Sequence, residues 1–295
     1  MARRRKRKKQ PIVLTVVLVL LSLLLTGDLI AARIYMRHTG EPFFPALLQT
    51  TRLGGEYVIN LLSPKARSVP VNPYHASDYY YRGDYLACAG SEVSRAGVDV
   101  SSHQQEIDWQ AVADAGVEFA IVRVGYRGYS DGEIFADSKA AENLRGALDA
   151  GLDVGVYFFS QATTEQEARE EAWFVLDAID GLPIRYPVLF DWEGVADDVA
   201  RTDGITGPEM TQFAQAFCEE VDRAGYTAGV YFNQSYGYNS FDLRALNRYE
   251  FWLAEYAEAQ SFAYEVQLWQ YDYQGRVPGI ETTVDLNLCY KDYLK

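Results

Sequence analysis

The chain has 295 residues, 48% of them hydrophobic and 23% charged, a globular composition that excludes a largely disordered protein. Its formal net charge of −14 is unevenly spread: residues 1–37 hold nine of the 27 basic residues and one of the 41 acidic ones, leaving 18 basic against 40 acidic residues, a net −22, for the rest. A body that acidic repels phosphate backbones, which excludes nucleic acid as the expected partner. Three cysteines (Cys88, Cys218, Cys289) and three histidines (His38, His75, His103), scattered and without an HExxH, exclude a disulfide framework and a His-ligated zinc hydrolase.

The chain opens on a basic segment, residues 1–11, with seven basic residues at positions 3–9. Ile12–Gly27 follows as sixteen consecutive uncharged residues, and continuing to Ala32 crosses only Asp28. That is roughly the ~20 residues a spanning helix needs, so 12–34 is expected to be a transmembrane signal-anchor. The polybasic start predicts a cytoplasmic N-terminus and an extracellular body on a bacterial cell membrane, single-pass. A cleaved signal peptide and a secreted body are the alternative, disfavoured by the length of the run and the lack of an A-x-A site. Residues 35–95 read as a connector, in which 43–62 is apolar enough for a helix and Tyr79-Tyr80-Tyr81 suits packing.

From residue 96 the texture changes. Ala115-Gly116, Ala150-Gly151 and Ala224-Gly225 each end a helical pattern and precede a short β-rich run, Glu118–Val124, Asp153–Phe159 and Ala228–Asn233. Gly97–Ser102, Pro187–Glu193, Phe251–Tyr256, Val266–Tyr271 and Thr283–Tyr290 bring the expected strands to eight. Nine residues separate Tyr256 from Val266 and eleven separate Tyr271 from Thr283, too few for comfortable crossover helices. The fold class is therefore α/β: an irregular TIM-like barrel over 96–295, with about five βα units followed by three strands lacking full helices.

Active sites of βα barrels lie at the C-terminal ends of the strands. Asp99 falls in the first expected strand, Asp191 and Glu193 close the fourth, and Asp285 lies in the eighth, which neighbours the first in a closed ring. Asp191 and Glu193 are two apart, so both side chains take one face, roughly 6–7 Å apart at Cα. Carboxyls held that close resist joint ionisation, which leaves one protonated, the pairing glycosidic cleavage needs. A lone strand-end Asp more often caps a loop; four acids on strands that meet, flanked by aromatics, point to a site.

With 22 Tyr, 14 Phe and 5 Trp, aromatic side chains are abundant. Half of them are accounted for by core packing, but those at strand ends suit stacking on sugar C–H faces. Tyr126, Tyr157, Trp192, Tyr231, Tyr256 and Trp269 are the aromatic candidates, with Tyr129 and Tyr271 also near strand ends. His103 near Asp99 invites a nucleophile–His–Asp reading, yet there is no G-x-S-x-G elbow, so His103 is expected at the rim.

In order along the chain stand Asp99-Val100-Ser101-Ser102-His103-Gln104 with Ile107-Asp108-Trp109, Gly151-x3-Gly155-Val156-Tyr157-x-Phe159, Asp191-Trp192-Glu193, Trp252-x-Ala254-x-Tyr256, Trp269-Gln270-Tyr271 and Asp285-Leu286-Asn287. Together, over 97–290, they resemble the glycoside hydrolase family 25 lysozymes, N-acetylmuramidases of the Chalaropsis type. The resemblance implies hydrolysis of the β-1,4 bond between N-acetylmuramic acid and N-acetylglucosamine in peptidoglycan, without metal or cofactor. It makes Glu193 the general acid and Asp191 the carboxyl that orients the substrate's own N-acetyl group, with Asp99 and Asp285 completing an acidic floor and Gln270 and Asn287 among the substrate contacts. The chain departs from the family at Phe158, where members often carry His, and at Arg123–Gly128, where many carry Lys-x-(Thr/Ser)-Glu-Gly. A chitinase-like hydrolase, whose motif runs D-x-D-x-E, is the alternative, opposed by Leu189 in place of the first Asp; a non-catalytic wall-binding barrel is another.

Overall fold

The computed structural model describes residues 50–53, 56–59, 68–195 and 198–294. The expected basic segment and anchor, 1–34, lie outside the described residues, among which no helix is long and apolar enough to cross a membrane. The chain divides into two compact units, 1–60 and 61–295. In the first, β1 (Thr50–Leu53) and β2 (Glu56–Ile59) pair antiparallel, so the described part of the apolar stretch expected as a helix is a hairpin instead.

In the second unit a hairpin of β3 (Tyr79–Arg82) and β4 (Tyr85–Cys88) precedes the barrel. The barrel strands are β5 (Arg95–Val100), β6 (Phe119–Arg127), β8 (Asp153–Ser160), β9 (Val188–Trp192), β10 (Ala228–Asn233), β11 (Glu250–Ala254), β12 (Leu268–Gly275) and β13 (Val284–Cys289). They hydrogen-bond in a closed ring, with β7 (Ile134–Ala136) added antiparallel to β6. The connections from β5 to β11 carry helices α1 (Trp109–Asp114), α2 (Ala140–Asp149), α3 (Glu165–Ala178), α4 (Gly207–Arg223), and the short α5 (Gln234–Asn239) and α6 (Leu243–Leu246). No helix stands between β11 and β12 or between β12 and β13. The five βα units and the helix-poor end are thus as the spacing indicated.

Local chemistry places these elements. The Ala-Gly pairs end helices α1, α2 and α4, with glycine supplying the left-handed conformation (φ 83° at Gly151, 89° at Gly225). Thr164 Oγ1 caps α3 by accepting from Glu167 N, and Asp108 caps α1 by accepting from Ala111 N. Strand alternation then sorts the side chains: Phe119, Ile121, Leu189, Tyr231, Trp252, Ala254, Leu268 and Cys289 fill the barrel interior. Gly97 is obligatory there, since a Cβ would stand 2.3 Å from the Phe119 ring.

Two features were not expected. β13 runs antiparallel to both β12 and β5, whereas the other seven strands run parallel to one another. The start of β13, not its end, therefore reaches the mouth of the barrel. Second, residues 68–94, expected within a connector, pack on the barrel's outer face where crossover helices are missing. Tyr79 meets Trp269 edge-on at 5.2 Å, Tyr74 stacks on Tyr290 at 4.8 Å, and Leu86 N donates to the Tyr271 hydroxyl at 3.2 Å. The outward side chains of helix-less strands need an apolar cover, and Tyr85, Leu86, Ala87 and Cys88, all buried, provide it.

Candidate active site

At the mouth, a cavity of about 230 Å³ is lined by Asp99, Tyr157, Phe159, Asp191, Glu193, Tyr231, Trp252, Tyr256, Gln270 and Asp285. All four predicted acids are brought together here. Asp99 on β5 faces Asp285 on β13 as its direct partner across the ladder. Asp191 pairs with Phe159 of β8 on one side and Tyr231 of β10 on the other. Glu193 follows β9 by one residue, on the same face as Asp191.

The floor is a hydrogen-bonded set. Asp99 Oδ2 accepts from Gln270 Nε2 at 2.9 Å and Asn287 Nδ2 at 2.7 Å. Gln270 Oε1 accepts from the hydroxyls of Tyr231 (3.2 Å) and Tyr256 (3.1 Å), and Asn287 Oδ1 accepts from Trp252 Nε1 (2.8 Å). Each amide is thereby oriented with its N–H toward Asp99. Asp191 Oδ1, in contrast, is buried and has no partner among the described residues. It is an acceptor aimed at something the protein itself does not supply.

All four carboxyls bind their protons more tightly than free carboxylates do. Burial is the leading cause throughout. Asp99 is pushed up to about 6 by burial and by Glu193, against the pull of its two amide donors. Asp285 is pushed up to about 8 by burial, Asp99 and Asp272. Glu193 is raised by burial and Asp285, and Asp191 well above the usual range by burial, Glu193 and Asp99, opposed by Arg123. Such a cluster holds protons near neutrality and can lend one to a leaving group while another carboxyl stays ionised.

The other predicted contacts divide. Tyr157, Tyr231, Tyr256 and Gln270 line the cavity; Tyr126, Trp192, Trp269 and Asn287 do not. Trp192 and Trp269 each stand one residue from an inward-facing side chain, Asp191 and Gln270, and so point outward. Trp192 Nε1 donates to Ala162 O (3.0 Å) and Trp269 Nε1 to Glu255 O (2.8 Å), both rings buried. Tyr126 stacks on Phe135 at 5.4 Å, and Asn287 is fully buried behind Asp99. Tyr129 bonds Asp198 across two loops, Tyr271 lies under the hairpin, and His103 is exposed, its N–H donating to Ser101 Oγ. Phe159 and Trp252 line the cavity without having been singled out as contacts. Strand parity carried that signal, since Phe159 is two beyond Tyr157 and Trp252 four before Tyr256.

Among the described residues no group of three or more His, Cys, Asp or Glu side chains is arranged to hold a metal ion.

The pattern that describes Glycosyl hydrolases family 25 matches residues 98–280, more than half of the chain. The protein YegX of Escherichia coli O157:H7, itself uncharacterised, is 25% identical over 200 residues, spanning 65% of this chain and 68% of its own length. The autolytic lysozyme of Clostridium acetobutylicum is 26% identical over 196 residues, 65% of this chain and 54% of the lysozyme. In fold, the chain is similar to the modular autolysin LytC of Streptococcus pneumoniae, solved in complex with a synthetic peptidoglycan ligand: TM-score 0.61, 20% identity, 82% of this chain and 67% of that one. With four carboxyls gathered at the mouth of an irregular eight-stranded barrel and the family's pattern running through it, the chain belongs to glycosyl hydrolases family 25 and is a glycoside hydrolase.

Proposed function

We propose that the protein is a peptidoglycan muramidase that hydrolyses the β-1,4 bond between N-acetylmuramic acid and N-acetylglucosamine. The observation that carries this reading is the pair Asp191, on β9, and Glu193, just past its end, lining one cavity, with an unpartnered buried oxygen on Asp191 and a raised proton affinity on Glu193. The substrate class is supported by the lysozyme relative and by the peptidoglycan ligand of the similar autolysin.

Glu193 gives its proton to the glycosidic oxygen as the C1–O bond breaks. The oxygen of the muramic acid's 2-acetamido group attacks C1, and Asp191 accepts the acetamido N–H, holding the group in line and balancing the charge that develops on it. Water then opens the cyclic intermediate at C1, its proton passing to the Glu193 carboxylate. Asp99, held by Gln270 and Asn287, and Asp285 line the floor beneath the reacting ring. Tyr157, Tyr231 and Tyr256 supply ring faces and hydroxyls along the groove.

The test is release of soluble fragments from purified cell walls. Glu193→Gln should lower the rate by a factor of roughly 10²–10⁴, and an undiminished rate would sink the assignment. Reducing-end analysis separates the chitinase-like alternative, since muramic acid at the new reducing end is the muramidase product. Wall binding without any product would establish the non-catalytic reading.

The apolar run within 12–34, behind a polybasic start, supports a single-pass membrane anchor with the barrel outside the cell. An anchored hydrolase of this kind acts on the wall next to its own membrane. Recovery of the protein in the membrane fraction, with the barrel sensitive to protease added to intact spheroplasts, is the expected result. A soluble form in the medium lacking residues 1–32 would favour secretion.

A further inference from the structure

The cavity of about 230 Å³ is smaller than the roughly 300–1,000 Å³ of a site that encloses a whole small ligand, so it holds only part of a glycan strand. The rest of a bound strand lies on the rim, and the rim is not uniform. An aromatic row starts at Phe159 of β8, which lines the cavity, and runs sideways through the sheet. Phe159 pairs with Tyr126 of β6, and Tyr126 pairs with Phe135 of β7, so the three side chains share one face of three adjacent strands. Neighbouring strands stand about 4.8 Å apart, which carries the row roughly 10 Å out from Phe159.

A bulge creates this row. Arg123 pairs with Tyr157 and Gly125 with Phe158, leaving Val124 as an extra residue of β6. By a strict period of two Tyr126 would face outward with Val122; the extra residue turns it to the mouth side beside Phe159. The opposite face is closed, since Phe158 meets Phe174 of α3 edge-on at 5.8 Å. On the mouth side Phe135 is 40% exposed, while Tyr126 and Phe159 are half-buried. The rings are also fixed in advance. Tyr126 stacks on Phe135 at 5.4 Å with 25° between their planes, and the Arg123 guanidinium lies 5.5 Å from the Tyr126 ring centre. Buried Arg127 pins the β6–β7 hairpin to α3, donating to Gly132 O (2.7 Å), Glu167 O (2.9 Å) and Glu171 Oε1 (2.6 Å). An exposed phenylalanine on a three-residue edge strand adds little to the core, whereas a rigid aromatic face continuous with the cavity suits stacking on a sugar ring.

A second aromatic pair stands across the mouth. Tyr256, which lines the cavity, meets Tyr273 of β12 at 4.7 Å, both half-exposed. In the closed ring β6 lies four steps from β11, the strand that leads to Tyr256, in either direction. The two pairs therefore flank the four carboxyls from opposite rims. We propose that the row Phe159–Tyr126–Phe135 is a glycan subsite outside the cavity, in which Phe135 stacks on a sugar ring of the bound strand and gives the protein a preference for long strands over short ones. This rests on the muramidase reading above and deepens it.

The experiment uses the full-length protein carrying E193Q, so that strands are bound without being cut. Affinity is measured for peptide-free glycan strands from a disaccharide to an octasaccharide, and for the same strands bearing stem peptides. Adding F135A or F135L should lower the octasaccharide-to-disaccharide affinity ratio of the peptide-free strands roughly three- to tenfold, while F135W keeps it. F135L retains an apolar side chain on the edge strand and so guards against a folding defect. An unchanged ratio in F135A, or one kept in full by F135L, would overturn the proposal. So would a loss confined to strands that bear peptides, which would place peptide rather than sugar on this rim. Product release from the same strands by the unaltered protein tests the muramidase reading separately: if none appears, that reading fails, and the affinity ratios still decide the role of Phe135.

Discussion

Asp285 and Asp99 are direct partners across the β13–β5 ladder, two carboxyls face to face because β13 runs against both its neighbours. Both bind protons more tightly in the folded chain than in the unfolded one, Asp99 up to about 6 and Asp285 up to about 8. The native state therefore takes up protons relative to the unfolded chain across that window, and stability falls as pH rises from the ordinary carboxylate range to about 8. Asp285→Asn should stabilise the protein by about 1–3 kcal/mol at pH 8 and by much less at pH 4.5. Thermal melts at the two pH values check this, and an equal effect at both would refute it.

Asn287 ties Asp99 to the barrel core, donating to the carboxylate and accepting from the Trp252 indole. Asn287→Leu leaves that buried N–H without an acceptor, a loss of about 1–3 kcal/mol. It also removes one of the two amides that favour ionised Asp99, so the acid limb of wall hydrolysis should move to higher pH. Chemical denaturation and a pH–rate profile on the same variant measure both effects.

Gln161 controls the peptide that carries Glu193. Its fully buried carboxamide donates from Nε2 to Ser160 O at 3.0 Å and Glu193 O at 2.5 Å, and accepts from Thr202 Oγ1 at 2.9 Å. Gln161→Ala frees the chain just past β9 and misplaces the Glu193 carboxyl, which should lower kcat roughly ten- to a hundredfold with little change in KM. A proportionate rise in KM instead would mean that the residue serves binding.

Leu86, on β4 of the β3–β4 hairpin and 2% exposed, is part of the cover the hairpin lays on the outer face of the barrel. Leu86→Ala should cost about 2–5 kcal/mol, as a cavity opens where no crossover helix closes in to fill it. Urea denaturation checks this. A loss under 1 kcal/mol would show that the hairpin is dispensable to the barrel.

The eight strands were legible because each is a short apolar run bounded by turn residues; Ala228–Asn233 coincides with β10 to the residue. The two helix-less connections were legible from chain length alone. Strand parity held more than the motifs did: with Asp191 and Gln270 facing inward, their neighbours Trp192 and Trp269 had to face outward, and both are buried on that side. Their aromatic character beside motif residues obscured what alternation required.

What the sequence by itself determined is local: strand positions, helix ends and the shared face of Asp191 and Glu193, all set by periodicities of two and 3.6 within a few residues. The tertiary structure decided which distant residues meet. Reversal of β13 carries Asp285 to the mouth at the start of its strand, Asn287 reaches Asp99 from 188 positions away, and the segment before the barrel covers Trp269 and Tyr271. Such pairings depend on ring closure and on apolar surface that only the assembled barrel presents, and no periodicity along the chain encodes them. The formal net charge of −14 divides on the same line, its sum fixed by composition, while which carboxyls give up their charge is set by burial in the cleft.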